Sequence, residues 1–411
     1  MTLRQGSNKM RGKQDRCVAR LAAVVLLALP LAGCRPHDFP QYPPNYREYA
    51  YVTNGGSGTV SIYDVVNVRL DRELPVGQNP VAVAASPTRN EVYVVNSGVP
   101  AGQPGPQGSV SVIDAASNRV VATIPVRRQP VALTLDATGA RAYVANSGSN
   151  SISVVDLKTR REVAVIGTGE VPVALRLSPD GKTLAVANQG GNSVSLIDPA
   201  SDQVRAVFAG CPGAGDVVIL PDSSKAFAAC SGGHQVMVIA LVQTQAPPAS
   251  PGPMQPDRIE SLLDVGRAPV QLALKPDGGE LFVSNALSDS VSEIYTTTNE
   301  VGDTFMIGNN PARGIVSADN STLYVGDQRS QEVTVYSIDD GKRLGSIHVG
   351  DGPSALAFST AGHLLFIVDT GSGDLAVYRT ASRSVFTLPL FTLLSTGRAP
   401  NAIAVKSFKL P

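Results

Sequence analysis

Val171–Val204 reads VPVALRLSPDGKTLAVANQGGNSVSLIDPASDQV, and this stretch decides the fold. Pro172 leads a short apolar run. The turn Ser178-Pro179-Asp180-Gly181 follows, and a second apolar run ends at Asn188. A Gly/Asn/Ser turn precedes a third run, Ser193 to Asp198, and a polar turn precedes a weaker fourth. The runs are short, rich in Val, Leu and Ile, and partly alternating, which is the signal of half-buried strands. Asp, Gly, Asn and Pro in the turns suit tight backbone geometry. Four antiparallel strands in about 42 residues, repeated, indicate a β-propeller.

Outward from this unit, the end of the second strand recurs as YVTN at Tyr51, YVVN at Tyr93, YVAN at Tyr143 and AVAN at Ala185. It continues as FAAC at Phe227, FVSN at Phe282, YVGD at Tyr324 and FIVD at Phe366. The eight copies are spaced by 42, 50, 42, 42, 55, 42 and 42 residues. The first strand also occurs eight times, after Pro80, Pro130, Pro172, Ala214, Pro269, Pro311, Pro353 and Pro400. The repeat begins on a second strand near Tyr49 and ends on an unpartnered first strand, Asn401 to Phe408. Pairing these two closes the ring and leaves no exposed ring edge. The fold expected is all-β, with eight four-stranded blades and the C-terminal strand completing the N-terminal blade. Seven blades would require the irregular unit from Gly210 to Gly266 to be left out.

The motifs YVTN, YVVN and YVAN, each followed by a run such as TVSIYD, SVSVID or SISVVD, resemble the YVTN-type β-propeller repeats of bacterial and archaeal surface and secreted proteins. The resemblance covers about Tyr49 to Phe408. It implies the propeller fold and leaves the activity open, because related propellers include scaffolds, lactonases and the eight-bladed haem domain of cytochrome cd nitrite reductases.

The chain has 411 residues, a net charge of zero and 17% charged residues, so its bulk charge does not favour nucleic acid. The first 33 residues read as an export signal: a basic segment from Arg4 to Arg20, then the apolar run Leu21 to Leu31. Leu31-Ala32-Gly33-Cys34 resembles the bacterial lipobox, which implies cleavage before Cys34 and its acylation. Several acyl chains give stable anchoring, at about 0.8 kcal/mol per buried methylene. Arg35 after the cysteine, by resemblance to enterobacterial sorting, favours the outer membrane. The expected domains are a signal peptide over 1–33, the lipidated Cys34 with a Pro-rich tether to residue 48, and a propeller over 49–411. Two Pro/Gly/Gln-rich insertions, Val99 to Gly108 and Gln243 to Asp257, are expected as surface loops on opposite faces.

Of the remaining cysteines, Cys211 lies just before a first strand and Cys230 replaces the terminal Asn of the adjacent second strand. An even pair in an oxidising compartment, at the same end of one blade, predicts a disulfide. The Asn residues that end the other second strands read as turn caps. His37, His234, His348 and His363 do not recur with the repeat or show metal-ligand spacing. CxxCH, GxSxG, HExxH and P-loop motifs are all absent, and there is no Trp. No catalytic residue, metal or cofactor is predicted.

One constellation stands out. The residues two before each first strand include Arg128, Glu170, Arg267, Asp351 and Arg398, expected at the mouth of the central channel. Two residues into the strand most units carry Ala, but three consecutive units carry Asp216, Gln271 and Arg313. Together they predict a polar, Arg-bearing funnel able to accept an anionic group or a partner's carboxylate. A solvated rim with internal ion pairs, such as Arg267 with Asp216, is the competing reading. The function expected is a non-enzymatic, monomeric binding scaffold at the cell envelope, periplasmic or surface-facing, engaging a protein or a small anionic ligand. The alternative is a lactonase-like enzyme or a haem-binding, oxidoreductase-like propeller using the same funnel.

Overall fold

The computed structural model describes residues 41–99, 107–242, 256–380 and 390–410. The signal segment, Cys34 and the central parts of both insertions lie outside the described residues. Within them the chain forms eight four-stranded antiparallel sheets, the blades of a β-propeller. We number the blades from the N-terminus. Blade 4 is the stretch quoted above: inner strand Pro172–Leu177, second strand Leu184–Asn188, third strand Ser193–Asp198 and outer strand Gln203–Ala209. The irregular unit is a complete blade 5, with strands Ala214–Ile219, Lys225–Cys230, Gln235–Ala240 and Arg258–Asp264, so the seven-blade alternative falls.

Burial follows position in the blade. Second and third strands are buried almost throughout, whereas an outer strand such as Arg161–Gly167 alternates. Blades stack face to face, so their middle strands are covered on both sides and the outer strands lie at the rim. Between blades 4 and 5, Ala185, Val194 and Leu196 pack with Val217, Ala228 and Met237. Full burial of a side chain of Val or Leu size contributes about 1.5–3 kcal/mol, and this contact repeats around the ring.

Blade 1 is built from both ends of the chain. Its inner strand, Pro400–Lys409, pairs antiparallel with its second strand, Tyr46–Asn54. The second strand begins earlier than the sequence suggests. Tyr46, Arg47 and Glu48 oppose Lys409, Phe408 and Ser407, because the C-terminal strand is long enough to partner them. Glu48 is buried and accepts hydrogen bonds from Thr360 N (2.6 Å) and the Tyr46 hydroxyl (2.9 Å). Tyr42 stacks on Tyr46 at 4.6 Å between ring centroids. The segment expected as tether therefore joins the propeller before residue 48.

The Asn residues that end the second strands act differently from turn caps. They are fully or almost fully buried and donate chiefly to hydroxyls on the third strand. Asn188 Nδ2 reaches Ser193 Oγ at 3.3 Å and Ser195 Oγ at 2.9 Å, and Asn54, Asn96 and Asn285 make the same pair of bonds. In blades 1, 2, 4 and 6 the carboxamide also packs under the backbone that leads into the inner strand of its own blade. A Cβ on Gly169, three residues before Pro172, would lie 2.8 Å from Asn188 Cγ. Glycine occupies the same position at Gly77, Gly266, Gly308, Gly350 and Gly397. Cys211 and Cys230 stand at these two positions in blade 5, and they form a disulfide. The covalent bond replaces the Gly–Asn contact.

Candidate functional site

Every inner strand begins at one face of the ring, here the upper face. Its first residues shape the axis. In blade 4, Pro172 opposes Asn188 and Ala174 opposes Ala187, which leaves Val173 without a partner. The same shift occurs in blades 2, 3 and 5–8. The residue just before the strand turns into the left-handed region, as at Asn79 (φ 49°), Val171 (φ 52°) and Asn310 (φ 59°).

This turn sends the preceding residue away from the axis. The carbonyl oxygens of Arg128, Glu170, Arg267, Asp351 and Arg398 accept amides of the neighbouring upper-face turns, at 2.8–3.2 Å. Their side chains are exposed and none lines the central cavity. These five, expected at the channel mouth, are therefore not part of the cavity lining, and the turn uses them through their backbone. The suggested Arg267–Asp216 ion pair is also absent, since Arg267 Nη2 donates to Leu287 O at 2.7 Å.

Asp216, Gln271 and Arg313 do line the axis, in a cavity of about 640 Å³ bounded by all eight inner strands. Arg176 of blade 4 joins them. Sequence comparison missed it because it lies four residues after the opening proline, not two. Its signal was available: the equivalent residues are Ala84, Thr134, Val218, Ala273, Ile315, Ala357 and Ala404.

The four polar side chains divide into two kinds. Asp216 and Gln271 tie neighbouring blades together. Asp216 accepts Val217 N at 2.9 Å and, across to blade 6, Leu272 N at 3.0 Å. Gln271 Oε1 accepts Gly314 N of blade 7 at 2.7 Å, and its Nε2 donates to Leu272 O at 2.9 Å. Arg176 and Arg313 have no hydrogen-bond or ion-pair partner among the described residues. Burial pushes the Asp216 carboxyl above the usual aspartate range, against the opposing pull of Arg176 and Arg313. The cavity therefore holds two guanidiniums and one carboxyl whose ionisation is disfavoured.

The donor set does not suit a haem. An axial ligand would have to come from a side chain such as His, Cys, Met or Tyr, and among the described residues none of these lines the cavity. His234 and His348 are exposed, and His363 lies beside Ser359 and Tyr42, away from the axis. A second hollow, about 410 Å³, lies between blades 5 and 6. Its Lys225 is committed: Nζ donates to Thr296 O at 3.0 Å and Asn299 Oδ1 at 2.9 Å, and faces Glu260 at 3.5 Å.

No protein-family profile and no curated protein matches the chain. Solved structures do. The dihydro-heme d1 dehydrogenase NirN in complex with DHE is similar at a TM-score of 0.67 and 16% identity, over 89% of this chain and 76% of that one. A Bacteroides fragilis protein assigned provisionally as a 6-phosphogluconolactonase gives 0.59 and 14%, over 90% and 100%. Kuenenia stuttgartiensis hydrazine synthase gives 0.54 and 22%, over 80% and 92%. At these identities the likeness is one of fold.

Proposed function

We propose that this protein is a binding module of the bacterial cell envelope, held to the membrane through Cys34, that takes an anionic group into its axial cavity without chemically changing it. The observation that carries the reading is that two guanidiniums, Arg176 and Arg313, line the axial cavity with no hydrogen-bond or ion-pair partner among the described residues. A guanidinium offers a planar fork of donors suited to a carboxylate or phosphate. The absence of nucleophile and metal motifs in the sequence agrees with binding.

Equilibrium binding of small carboxylates and phosphate to the full chain in lipid nanodiscs tests the proposal. Binding should be saturable, and at least tenfold weaker in Arg176→Ala and Arg313→Ala. Anion binding that both variants leave intact refutes the cavity as the site. Replacing Cys34 with Ser should release the chain from membranes; retention through a high-salt wash refutes the anchor.

A hydrolytic reading draws on one observation, the raised carboxyl of Asp216 beside two guanidiniums. Such a group can take the proton of a water attacking a lactone carbonyl while a guanidinium stabilises the oxyanion. Turnover of a phosphorylated sugar lactone, abolished in Asp216→Asn, favours that reading over simple binding.

A further inference from the structure

Building on the anion-binding reading, we infer that the ligand is a small amphipathic carboxylate, its acid group held by Arg176 and Arg313 and its aliphatic or aryl body laid against blades 2 and 3.

The wall of the cavity is asymmetric. Its charged and long polar side chains come from the four consecutive blades 4 to 7. Blades 2 and 3 contribute only Val81, Ala82, Val83, Val131, Ala132 and Leu133. Both arcs surround the same 640 Å³, a volume within the range of sites for drug-sized molecules, which runs from about 300 to about 1,000 Å³. A phosphate or acetate ion would satisfy the guanidiniums and leave the apolar arc facing water. A neutral apolar molecule would cover that arc and offer no anion to the two guanidiniums, which are exposed to solvent in the free protein. A ligand with an acid at one end and an apolar body at the other answers both.

The polar arc also divides the work of binding. The Asp216 carboxyl is already occupied by two backbone amides, and Gln271 is tied to Gly314 of blade 7. Arg176 and Arg313 are the side chains left to meet an acid group.

The full chain in lipid nanodiscs, with empty nanodiscs subtracted, can be titrated calorimetrically with benzoate, 4-methyl-, 4-ethyl- and 4-propylbenzoate. The same protein is then titrated with 4-propylbenzyl alcohol, acetate and inorganic phosphate. Affinity should rise roughly fourfold per added methylene. The alcohol should bind at least tenfold more weakly than 4-propylbenzoate, and Arg176→Ala and Arg313→Ala should each lose at least tenfold with that acid. Ala132→Asn, which makes the apolar arc polar without adding charge, should weaken 4-propylbenzoate and spare acetate. If acetate or phosphate binds as tightly as 4-propylbenzoate, the amphipathic inference is overturned while anion binding stands. If no anion binds, both fall. Binding confined to a peptide with an apolar C-terminal residue would replace the small molecule with a protein partner. The ligand series on the unaltered chain decides the matter even where a variant fails to fold.

Discussion

Blades 4 and 5 are neighbours with the same four-stranded pairing, yet they reach it by different chemistry. Blade 4 joins the lead-in of its inner strand to its second strand by fitting Gly169 over the Asn188 carboxamide. Blade 5 makes the same junction with the Cys211–Cys230 bond. At the axis blade 4 has Ala174 and blade 5 has Asp216, whose carboxylate reaches into blade 6. The junction position must supply cohesion, and either chemistry does so. The axial position faces a cavity, so a change there alters what the cavity can bind while the blade keeps its pairing.

The largest effect expected is at the covalent junction. The disulfide spans a sequence separation of 19, for which chain entropy gives about 3 kcal/mol. The pair Cys211→Ala with Cys230→Ala should lose about that much in denaturant unfolding. Cys211→Gly with Cys230→Asn should recover little, because Met237 stands where blade 4 has the acceptor Ser195. Full recovery by that pair would show that close packing alone makes the junction.

Asn188→Ala in blade 4 comes next. It removes two hydrogen bonds and leaves a void beneath Gly169, and should cost about 2 kcal/mol. A loss below about 0.5 kcal/mol would contradict the structural weight placed on this contact.

Blades 7 and 8 offer a third version of the junction, with Asp327 and Asp369 in the Asn position. Burial pushes these carboxyls up to about 7 and about 8. Asp374 opposes Asp369, and Ala376 stands where blade 4 has a serine. The folded chain keeps protons on these groups that the unfolded chain releases near pH 4. Their contribution is complete below about pH 4 and is lost as pH rises through about 7 and 8. Asp369→Asn should therefore raise the melting temperature more at pH 9 than at pH 5. An equal shift at both pH values would mean that the aspartate does not titrate as described.

The smallest effects are expected at the axis. Asp216→Ala frees Leu272 N at a cost of about 1 kcal/mol. Arg313→Ala should change stability by less than about 0.5 kcal/mol, since no partner is lost. A large loss from Arg313→Ala would reassign that side chain from ligand binding to structure.

The ring was legible because each blade repeats a local pattern. Strand runs, turn residues and a period of 42 can be read within a single unit, and the phase of the first and last copies shows which strands must meet. The cysteine pair was legible for the same reason, because adjacent antiparallel strands bring both residues to one end. Asp216, Gln271 and Arg313 showed as departures from a repeated Ala. The placement of Arg128, Glu170, Arg267, Asp351 and Arg398 was not legible. It depends on one residue per turn adopting a left-handed backbone, and Val171 carries no sign of that.

By itself the sequence determined eight blades, their closure between a strand from Tyr49 to Asn54 and one from Asn401 to Phe408, the Cys211–Cys230 bond and three of the four polar residues on the axis. Only the tertiary structure decided that Gly169 covers Asn188 and that Arg176 shares a cavity with Arg313. It also decided that Arg267 turns outward. The physical reason is range. Hydrogen bonding and alternation act between adjacent strands and leave a periodic trace, whereas a cavity wall is assembled from separate blades by closure of the ring.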